Sequence, residues 1–319
     1  MKLKELYRQI VDKGIQEDVR SRKEIDALLA DKKKGFEELP KSKKDFFDQD
    51  ALFNPFDDSR IIWGDPEAKI KSIMVGVDVD GAELLLVDRL KSKGEEIDLV
   101  TSHHPQGAAY AQFYGVMDLQ VNVFSQEGVS LSVSENLLES RKAEVQRRVS
   151  AANHLRGPDI ARLLKINFLC MHTPCDNCAY QYLKKFLDKN KPKNLGEIID
   201  LLYAIPEYAH AAKNNNPPNI TVGNKKSACK KIHLEFTGGT EGPKEIYKEL
   251  ASQGVDTIIA MHQSDEHFQK CKEHNLNVVI ASHIASDNLG VNIMLDHLGQ
   301  KCKLKIYEFS GFRRFQHKK

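Results

Sequence analysis

The chain has 319 residues, a length that allows a large hydrophobic core and one or two domains. Hydrophobic residues make up 41% and charged residues 29% of the sequence, as in ordinary soluble globular proteins. The formal net charge of +2 creates no strong field, so composition argues against nucleic acid as a partner. No apolar run approaches the roughly 20 residues that span a bilayer. Residues 1–6 lack the apolar core of a signal peptide, so we expect a cytoplasmic protein without a membrane partner.

Residues 1–50 are predicted to form a highly charged helical extension. Apolar side chains recur there at helical spacing, for example at Leu3, Leu6 and Ile10. We expect this extension to pack on the main body or on a neighbouring subunit. A turn-rich link at residues 54–59 then leads into an alternation of strands and helices.

Residues 51–213 are predicted to form a first α/β lobe. The pattern predicts, in order, strand 70–77, helix 80–93, strand 97–102, strand 128–133, helix 134–149, strand 165–171, helix 179–189 and a short helix at 194–200. The polar run of asparagines and prolines at residues 214–219 is typical of a loop, and we place the boundary of the lobe there.

Residues 214–319 are predicted to form a second α/β segment. The pattern predicts strand 231–236, helix 243–253, strand 256–261, helix 265–274, strand 277–282, helix 287–298 and a half-buried strand at 301–307. This order of elements along the whole chain indicates an α/β fold with a mixed sheet.

Two adjacent histidines end the predicted strand 97–102, within the stretch Thr101–Pro105. Neighbouring side chains on a strand point to opposite faces, so both imidazoles reach one site only if the backbone turns there. Pro105 favours that turn because it lacks a backbone donor and restricts His104. Histidine is the commonest ligand of borderline transition metals, so His103 and His104 are candidate ligands. One buried, hydrogen-bonded histidine beside a solvated one explains the pattern equally well.

Two later strands end in the same way. The predicted strand 165–171 leads to His172 and Asp176, and strand 277–282 leads to His283 and Asp287. In open α/β sheets, ligands bind beyond the carboxyl ends of the strands, so we expect these three corners to meet at one site. The groups are too many for one tetrahedral zinc, and they suit two metals that share a bridging carboxylate or water.

The order and spacing of these motifs resemble the NIF-three-like family, also called GTP cyclohydrolase I type 2 homologues or dinuclear metal centre proteins. The resemblance covers residues 70–297 and includes SHHP, HTxxD, the late His-x-x-x-acid motif, VDVD at 77–80 and EFTGGT at 235–240. The chain departs from the family at Asp287, where the family has glutamate, and in reading HTPCD for HTNLD. The shorter aspartate leaves open whether this carboxylate bridges two metals or reaches one.

The resemblance implies two interlinked α/β lobes with mixed sheets and a metal cleft between them, beside the extra N-terminal helical segment. It implies that the C-terminal segment completes the metal site. The implied metal ligands are His103, His104, Asp176, His283 and Asp287, with His172 as a further ligand or a neighbour of the ligands. It also implies a homo-oligomer, a hexameric ring. Two divalent ions per chain are expected, and zinc, iron, manganese and nickel all suit imidazole and carboxylate ligands.

His172 and His262 are the candidate proton-transfer groups. His262 follows the predicted strand 256–261, as the other site residues follow theirs. The acidic residues after it, Asp265 and Glu266, are explained by a capped helix N-terminus. The glycine-bearing stretch 237–242 could cradle a phosphate, but it matches no known phosphate-binding motif and a structural turn is the favoured interpretation.

These residues predict a metal-dependent hydrolase that acts on a small nucleotide-like or phosphoester substrate. The family name suggests GTP ring hydrolysis, which follows from none of the residues named above. The alternative is a metal-binding regulatory or interaction protein without turnover. A third possibility is thiol redox chemistry at Cys175 and Cys178, although Asp176 between them opposes thiolate formation. Cys175 is also a possible extra metal ligand.

Overall fold

A computed structural model describes residues 1–317. Its strands are β1 (Ile61–Trp63), β2 (Ser72–Gly76), β3 (Leu99–Ser102), β4 (Phe168–Cys170), β5 (Asn219–Val222), β6 (Ile232–Glu235), β7 (Thr257–Ala260), β8 (Asn277–Ile280) and β9 (Lys305–Glu308). Its α-helices are α1 (Leu3–Gln16), α2 (Arg22–Glu38), α3 (Lys41–Lys44), α4 (Gly81–Ser92), α5 (Gly107–Ala111), α6 (Leu119–Gln126), α7 (Leu131–Ser150), α8 (Arg156–Leu164), α9 (Thr173–Asn190), α10 (Leu195–Tyr203), α11 (Pro206–Lys213), α12 (Ile246–Ser252), α13 (Asp265–Glu273) and α14 (His283–Gly299). Short 3₁₀ helices lie at Gln49–Leu52 and Phe113–Asp118. Among these described helices, none is both long and apolar enough to cross a membrane.

The first sheet has the strand order β1-β4-β3-β2-β9. The strands β4, β3, β2 and β9 are parallel to their neighbours, whereas β1 runs antiparallel to β4. Every residue of the central strands β2 and β3 is buried, as expected for parallel strands that are covered on both faces. The C-terminal strand β9 thus returns to the first sheet and pairs with β2.

The second sheet repeats this design with the order β5-β8-β7-β6. Its strands β6, β7 and β8 are parallel, and β5 runs antiparallel along the edge. The predicted α/β fold with mixed sheets is therefore confirmed. The sequence did not predict β1 and β5, which are short, incompletely buried edge strands with a weak apolar pattern.

Helices α9 and α14 pack against each other and contribute side chains to the cores of both sheets. Their backbones nearly touch, because a Cβ added at Gly290 would overlap the carbonyl oxygen of Cys175. Both helices begin earlier than predicted, α9 at Thr173 and α14 at His283. Pro174 is tolerated because the first turn of a helix needs no backbone donor there. Asp176 consequently lies in the first turn of α9, and Asp287 lies one turn after His283 on α14.

Helix α1 is an integral part of the first core. Its buried side chains Leu3, Leu6 and Ile10 lie in the same apolar cluster as residues of β2, α9 and α14. Gly14 allows a close approach to the start of α9, because a Cβ there would come within 2.7 Å of the Cβ of Pro174. Of the two expected positions for the N-terminal extension, the structure shows α1 on the main body.

The long segment between the first two motifs folds as helices α5 to α8. The predicted strand at 128–133 is wrong: Gly128 has a φ of +98° in a turn, and Ser130 caps α7. The Ser130 hydroxyl accepts the backbone N–H of Val133 at 3.4 Å. In α6, the side-chain amide of Gln120 donates to the carbonyls of Gly238 and Thr240 at 2.8 and 2.7 Å. This segment is thereby tied to the second lobe.

Candidate metal centre

The five predicted ligands converge at the carboxyl end of β3 and the N-termini of α9 and α14. Ligand-type atoms lie within 4.8 Å of one another in three groups: His103 with Asp176 and Asp287; His104 with His283 and Asp287; and His103 with His104 and His172. Asp287 belongs to two of these groups. The expectation that the three distant corners meet at one place is thus met by the geometry.

Asp287 presents each carboxylate oxygen to a different set of imidazoles. Its Oδ1 lies 3.4 Å from Nε2 of His103, whereas its Oδ2 lies 3.5 Å from Nε2 of His104 and 3.7 Å from Nε2 of His283. Oδ1 of Asp176 is 3.3 Å from the same Nε2 of His103. The shorter aspartate therefore faces both groups, because it lies one turn after His283 on a helix that starts at the site.

The donor atoms fit divalent cations. Nε2 of His103 and both oxygens of Asp287 are buried and have no hydrogen-bond partner among residues 1–317. Leaving such groups unsatisfied is costly, at about 1–3 kcal/mol each and more when charged. Separations of 3.3–3.7 Å are long for hydrogen bonds. They match the spacing of about 3.4 Å between two tetrahedral ligands whose bonds to one ion are about 2.1 Å long.

The charges in this cluster are strongly coupled. Burial opposes charging of His103, but Asp287 and Asp176 outweigh it and raise the pKa of His103 well above its usual value. Burial likewise opposes charging of His104, yet Asp287 and Asp78 raise its pKa to about 9. The pKa of Asp287 is held far below its usual range despite burial, because His103 and His104 face it. The buried carboxylates thus stabilise positive charge at the centre, which either protons or a cation can supply.

Two carboxylates that the sequence analysis assigned no role orient the histidines. Nδ1 of His104 donates to Asp78 at 2.7 Å, and Nδ1 of His172 donates to the buried Asp58 at 2.8 Å. The hydroxyl of Thr173 also donates to Asp58, at 2.6 Å. Each bond places the lone pair of Nε2 towards the centre, which is how carboxylates commonly fix histidine ligands. A sequence signal existed, since Asp78 follows a strand as the ligands do.

Ser282 positions His283 at the start of α14. It has a φ of +83°, a left-handed conformation that costs a non-glycine residue about 1–3 kcal/mol. The hydroxyl of Ser282 accepts the side-chain amide of Asn216 at 3.0 Å, and its carbonyl accepts the hydroxyl of Ser286 at 2.7 Å. These bonds hold the turn that directs His283 into the site.

The two proton-transfer candidates lie in different settings. The ring centroid of His172 is 4.8 Å from that of His103, and His172 is itself a member of one ligand group. His262 lies beside the groups: its ring is 4.7 Å from that of His283, and its side chain is 46% exposed. Its Nδ1 is 3.8 Å from a carboxylate oxygen of Glu241. His262 therefore has access both to the centre and to solvent.

Cys175 and Cys178 are free thiols in the buried core. Burial raises the pKa of both, which suppresses the thiolate form that redox exchange requires. Cys175 contacts His103 and lies next to the ligand groups, so the structure keeps it near the centre. The environment of the pair favours a packing role over redox chemistry.

Two openings adjoin the centre. One cavity runs from His172, Asp176 and Asp287 to His233 and Glu235 on the edge strand β6. The second shares His172, His262 and His283 with it and extends over Asp78 and His104 of the first lobe. Small molecules therefore have room beside the ligand groups.

The fold and this histidine–carboxylate cluster define a two-lobed α/β protein with a candidate metal centre. The structure is similar to a NIF3 superfamily protein from Sphaerobacter thermophilus, with a TM-score of 0.69, 26% sequence identity, and coverage of 80% of this chain and 91% of that chain. The chain is accordingly NIF3-like, and the resemblance predicted from its motifs is confirmed.

Weaker structural likenesses accompany this one. Reduced HcgD from Methanocaldococcus jannaschii has a TM-score of 0.49 and 14% identity, with 84% of this chain and 94% of that chain covered. Protein ybgI, of unknown function, has a TM-score of 0.47 and 14% identity, with 82% and 92% covered. The sequence matches no family model and no curated protein. The assignment therefore rests on the Sphaerobacter structure and on the motifs.

Proposed function

We propose that this protein is a metal-dependent hydrolase that holds two divalent ions per chain and acts on a nucleotide-like or phosphoester substrate. The observation that carries the proposal is the position of Asp287, whose two buried oxygens face two separate sets of imidazoles. A shared carboxylate of this kind is typical of sites that hold a pair of ions. Zinc, iron, manganese and nickel all suit these donors.

The chain supplies two sets of three donors that share Asp287. His103, Asp176 and Asp287 would hold one ion, and His104, His283 and Asp287 the other. When bound, such ions lower the pKa of coordinated water towards neutrality and offset negative charge that develops on a phosphoryl group. Three protein donors are fewer than the four of a closed structural zinc site, so each set leaves room for water or substrate. This supports catalysis over a purely structural role.

His262 and His172 would handle protons. His262 lines both openings of the centre and is exposed, so it can exchange protons between a bound substrate and solvent. His172 donates its Nδ1 proton to Asp58, which leaves Nε2 as the free lone pair on the side of the centre. Nε2 of His172 can therefore accept a proton or complete a ligand set.

We further propose that the protein acts in the cytoplasm as a homohexameric ring, as the resemblance implies. Exposed leucines support a contact surface on α4 and α8, two helices that pack against each other. Leu85, Leu86 and Leu163 are 57%, 47% and 69% exposed there. Sedimentation analysis of the purified protein measures the assembly.

The function is tested by screening protein loaded with zinc, manganese, iron or nickel against bis(p-nitrophenyl) phosphate and nucleotides. We expect hydrolysis that disappears in His103→Ala and His283→Ala and persists in His274→Ala, which alters a histidine at the end of α13. Full metal occupancy without hydrolysis of any substrate would contradict the proposal. That result would favour the alternative, a metal-binding regulatory or interaction protein without turnover.

A further inference from the structure

The cavity that begins at the metal centre ends in a chamber that the proposed chemistry does not use. We propose that this chamber binds a nucleobase-type ring bearing N–H donors, the part of a nucleotide-like substrate that lies away from the metals. The inference rests on the proposed function, which assigns the other end of the cavity to a phosphoryl group. The chamber is lined by Gln120, Phe124, His233, Glu235, Phe236 and Tyr247.

Hydrogen-bond acceptors line the chamber from two elements. His233 and Glu235 are two residues apart on β6, so their side chains point to the same face of the sheet. Nε2 of His233 and Oε1 of Gln120 are buried and have no hydrogen-bond partner among the residues described. These two side chains are 1% and 4% exposed. Buried polar atoms without partners are rare in folded proteins and mark a place where a ligand or water binds.

The neighbours of these side chains define which atoms accept. Nδ1 of His233 lies 3.4 Å from a carboxylate oxygen of Glu127 and therefore carries the proton, so Nε2 is a lone-pair acceptor. The amide nitrogen of Gln120 donates to two backbone carbonyls, which leaves its oxygen as the unpaired atom. The hydroxyl of Tyr247 donates to Glu235 at 3.1 Å. Nε2 of His233, Oε1 of Gln120 and the carboxyl group of Glu235 are therefore the acceptors that the chamber presents.

The charge and shape of the chamber exclude an anionic group. Among the described residues that line the chamber there is no lysine or arginine, whereas two glutamates, Glu235 and Glu241, do line it. Phe124, Phe236 and Ile246 supply buried apolar walls. Burial raises the pKa of Glu235, as expected of a carboxyl group that lacks enough donors. A planar ring with N–H groups on its edge meets the acceptors and leaves its faces on the apolar walls.

Binding titrations of metal-loaded protein with AMP, GMP, CMP and ribose 5-phosphate test the inference. Ribose 5-phosphate has the phosphate and sugar without a base. We expect at least one nucleotide to bind about tenfold more tightly than ribose 5-phosphate, the worth of a hydrogen bond to a charged group. Glu235→Gln and His233→Phe should remove this advantage without changing the affinity for ribose 5-phosphate. Glu245→Gln, an exposed glutamate before α12, is the matched control.

Metal content and thermal unfolding of each variant show that it is folded and loaded. The inference is overturned if no nucleotide binds more tightly than ribose 5-phosphate, or if both variants keep the advantage. Separate turnover assays distinguish this failure from that of the proposed function. If nucleotide binding depends on Glu235 but no substrate is hydrolysed, only the proposed hydrolase function is contradicted. If a substrate is hydrolysed but binding does not depend on the base, only the inference about the chamber is contradicted.

Discussion

Oδ1 of Asp287 lies 3.4 Å from Nε2 of His103, while the other oxygen of the same carboxylate faces His104 and His283. His103 and His104 lie in the turn that follows β3, and His283 and Asp287 lie in the N-terminal part of α14. The relationship depends on how closely α14 approaches α9, since Asp176 faces the same His103 nitrogen from α9. The packing of α9 against α14 therefore determines how the candidate ligands are arranged.

Gly290→Ala should weaken metal binding although Gly290 is not a candidate ligand. The added methyl group overlaps the Cys175 carbonyl, so α14 must move away from α9. We expect a loss of about 1–3 kcal/mol in the free energy of unfolding and weaker metal binding. Gly299→Ala is the control, because a Cβ at this position on the same helix meets nothing within 4 Å. Denaturant unfolding and metal titration measure both variants; equal stability and affinity for the two would contradict the role given to Gly290.

Asp78→Asn should weaken metal binding although Asp78 contacts no ion in the proposed arrangement. The amide loses the charge that orients His104 and favours its Nδ1 proton. We expect roughly a tenfold loss of affinity, the lower end for such partners because Asp78 is largely exposed. Asp88→Asn, an exposed aspartate on α4, should leave affinity unchanged. Competition titration with a chelating dye measures the difference, and equal affinities would remove Asp78 from the site.

Metal affinity should rise with pH. The pKa of His104 is raised to about 9 and that of His103 is raised well above its usual value, so both imidazoles favour the protonated form at neutral pH without a metal. A metal must displace these protons, and each costs about tenfold in affinity per pH unit below the pKa. We therefore expect weaker binding as pH falls from 9 to 6, with proton release on binding. Calorimetry in buffers of different ionisation enthalpy counts the protons; affinity that is independent of pH would contradict this picture.

His262→Gln should separate proton transfer from metal binding. The side chain lies outside the ligand groups, so metal content should stay at the wild-type level. If His262 transfers a proton, kcat should fall by about 10²- to 10⁴-fold, and the pH profile should lose one ionisation. His274→Gln serves as the control. Loss of metal in His262→Gln would instead make His262 a ligand, and an unchanged kcat would exclude it from catalysis.

Part of the convergence of the candidate ligands could be predicted from the sequence. His103, His104 and His172 follow neighbouring parallel strands, β3 and β4, whose carboxyl ends meet at one edge of the first sheet. His283 follows β8 of the second sheet, so its approach depends on the packing of α14 against α9. The two orienting carboxylates differ in how far the sequence indicates them. Asp78 follows a strand as the ligands do, whereas Asp58 lies in the turn-rich link and resembles an ordinary turn acid. The hydrogen bonds that join Asp58 to His172 and Asp78 to His104 span 114 and 26 residues.

The incorrect strand at 128–133 has a similar explanation. Val129, Leu131 and Val133 alternate as in a strand, but Val129, Val133 and Leu137 are also spaced four apart, as on one face of a helix. The core formed with the second sheet selects the helical spacing, since Val133 and Leu137 of α7 pack into it on one face, beside Val129 from the preceding turn. Short apolar runs leave this choice to tertiary contacts. The starts of α9 and α14 were predicted too late because their first residues were assigned to the ligand-bearing turns before each helix.

Elemental analysis of wild-type protein and of Asp287→Asn tests the central claim most directly. If Asp287 serves both ligand sets, wild-type protein should hold two divalent ions per chain and Asp287→Asn should hold fewer than one. Asp188→Asn, an exposed aspartate on α9, should retain two. A single ion per wild-type chain, or two ions in Asp287→Asn, would contradict the shared carboxylate.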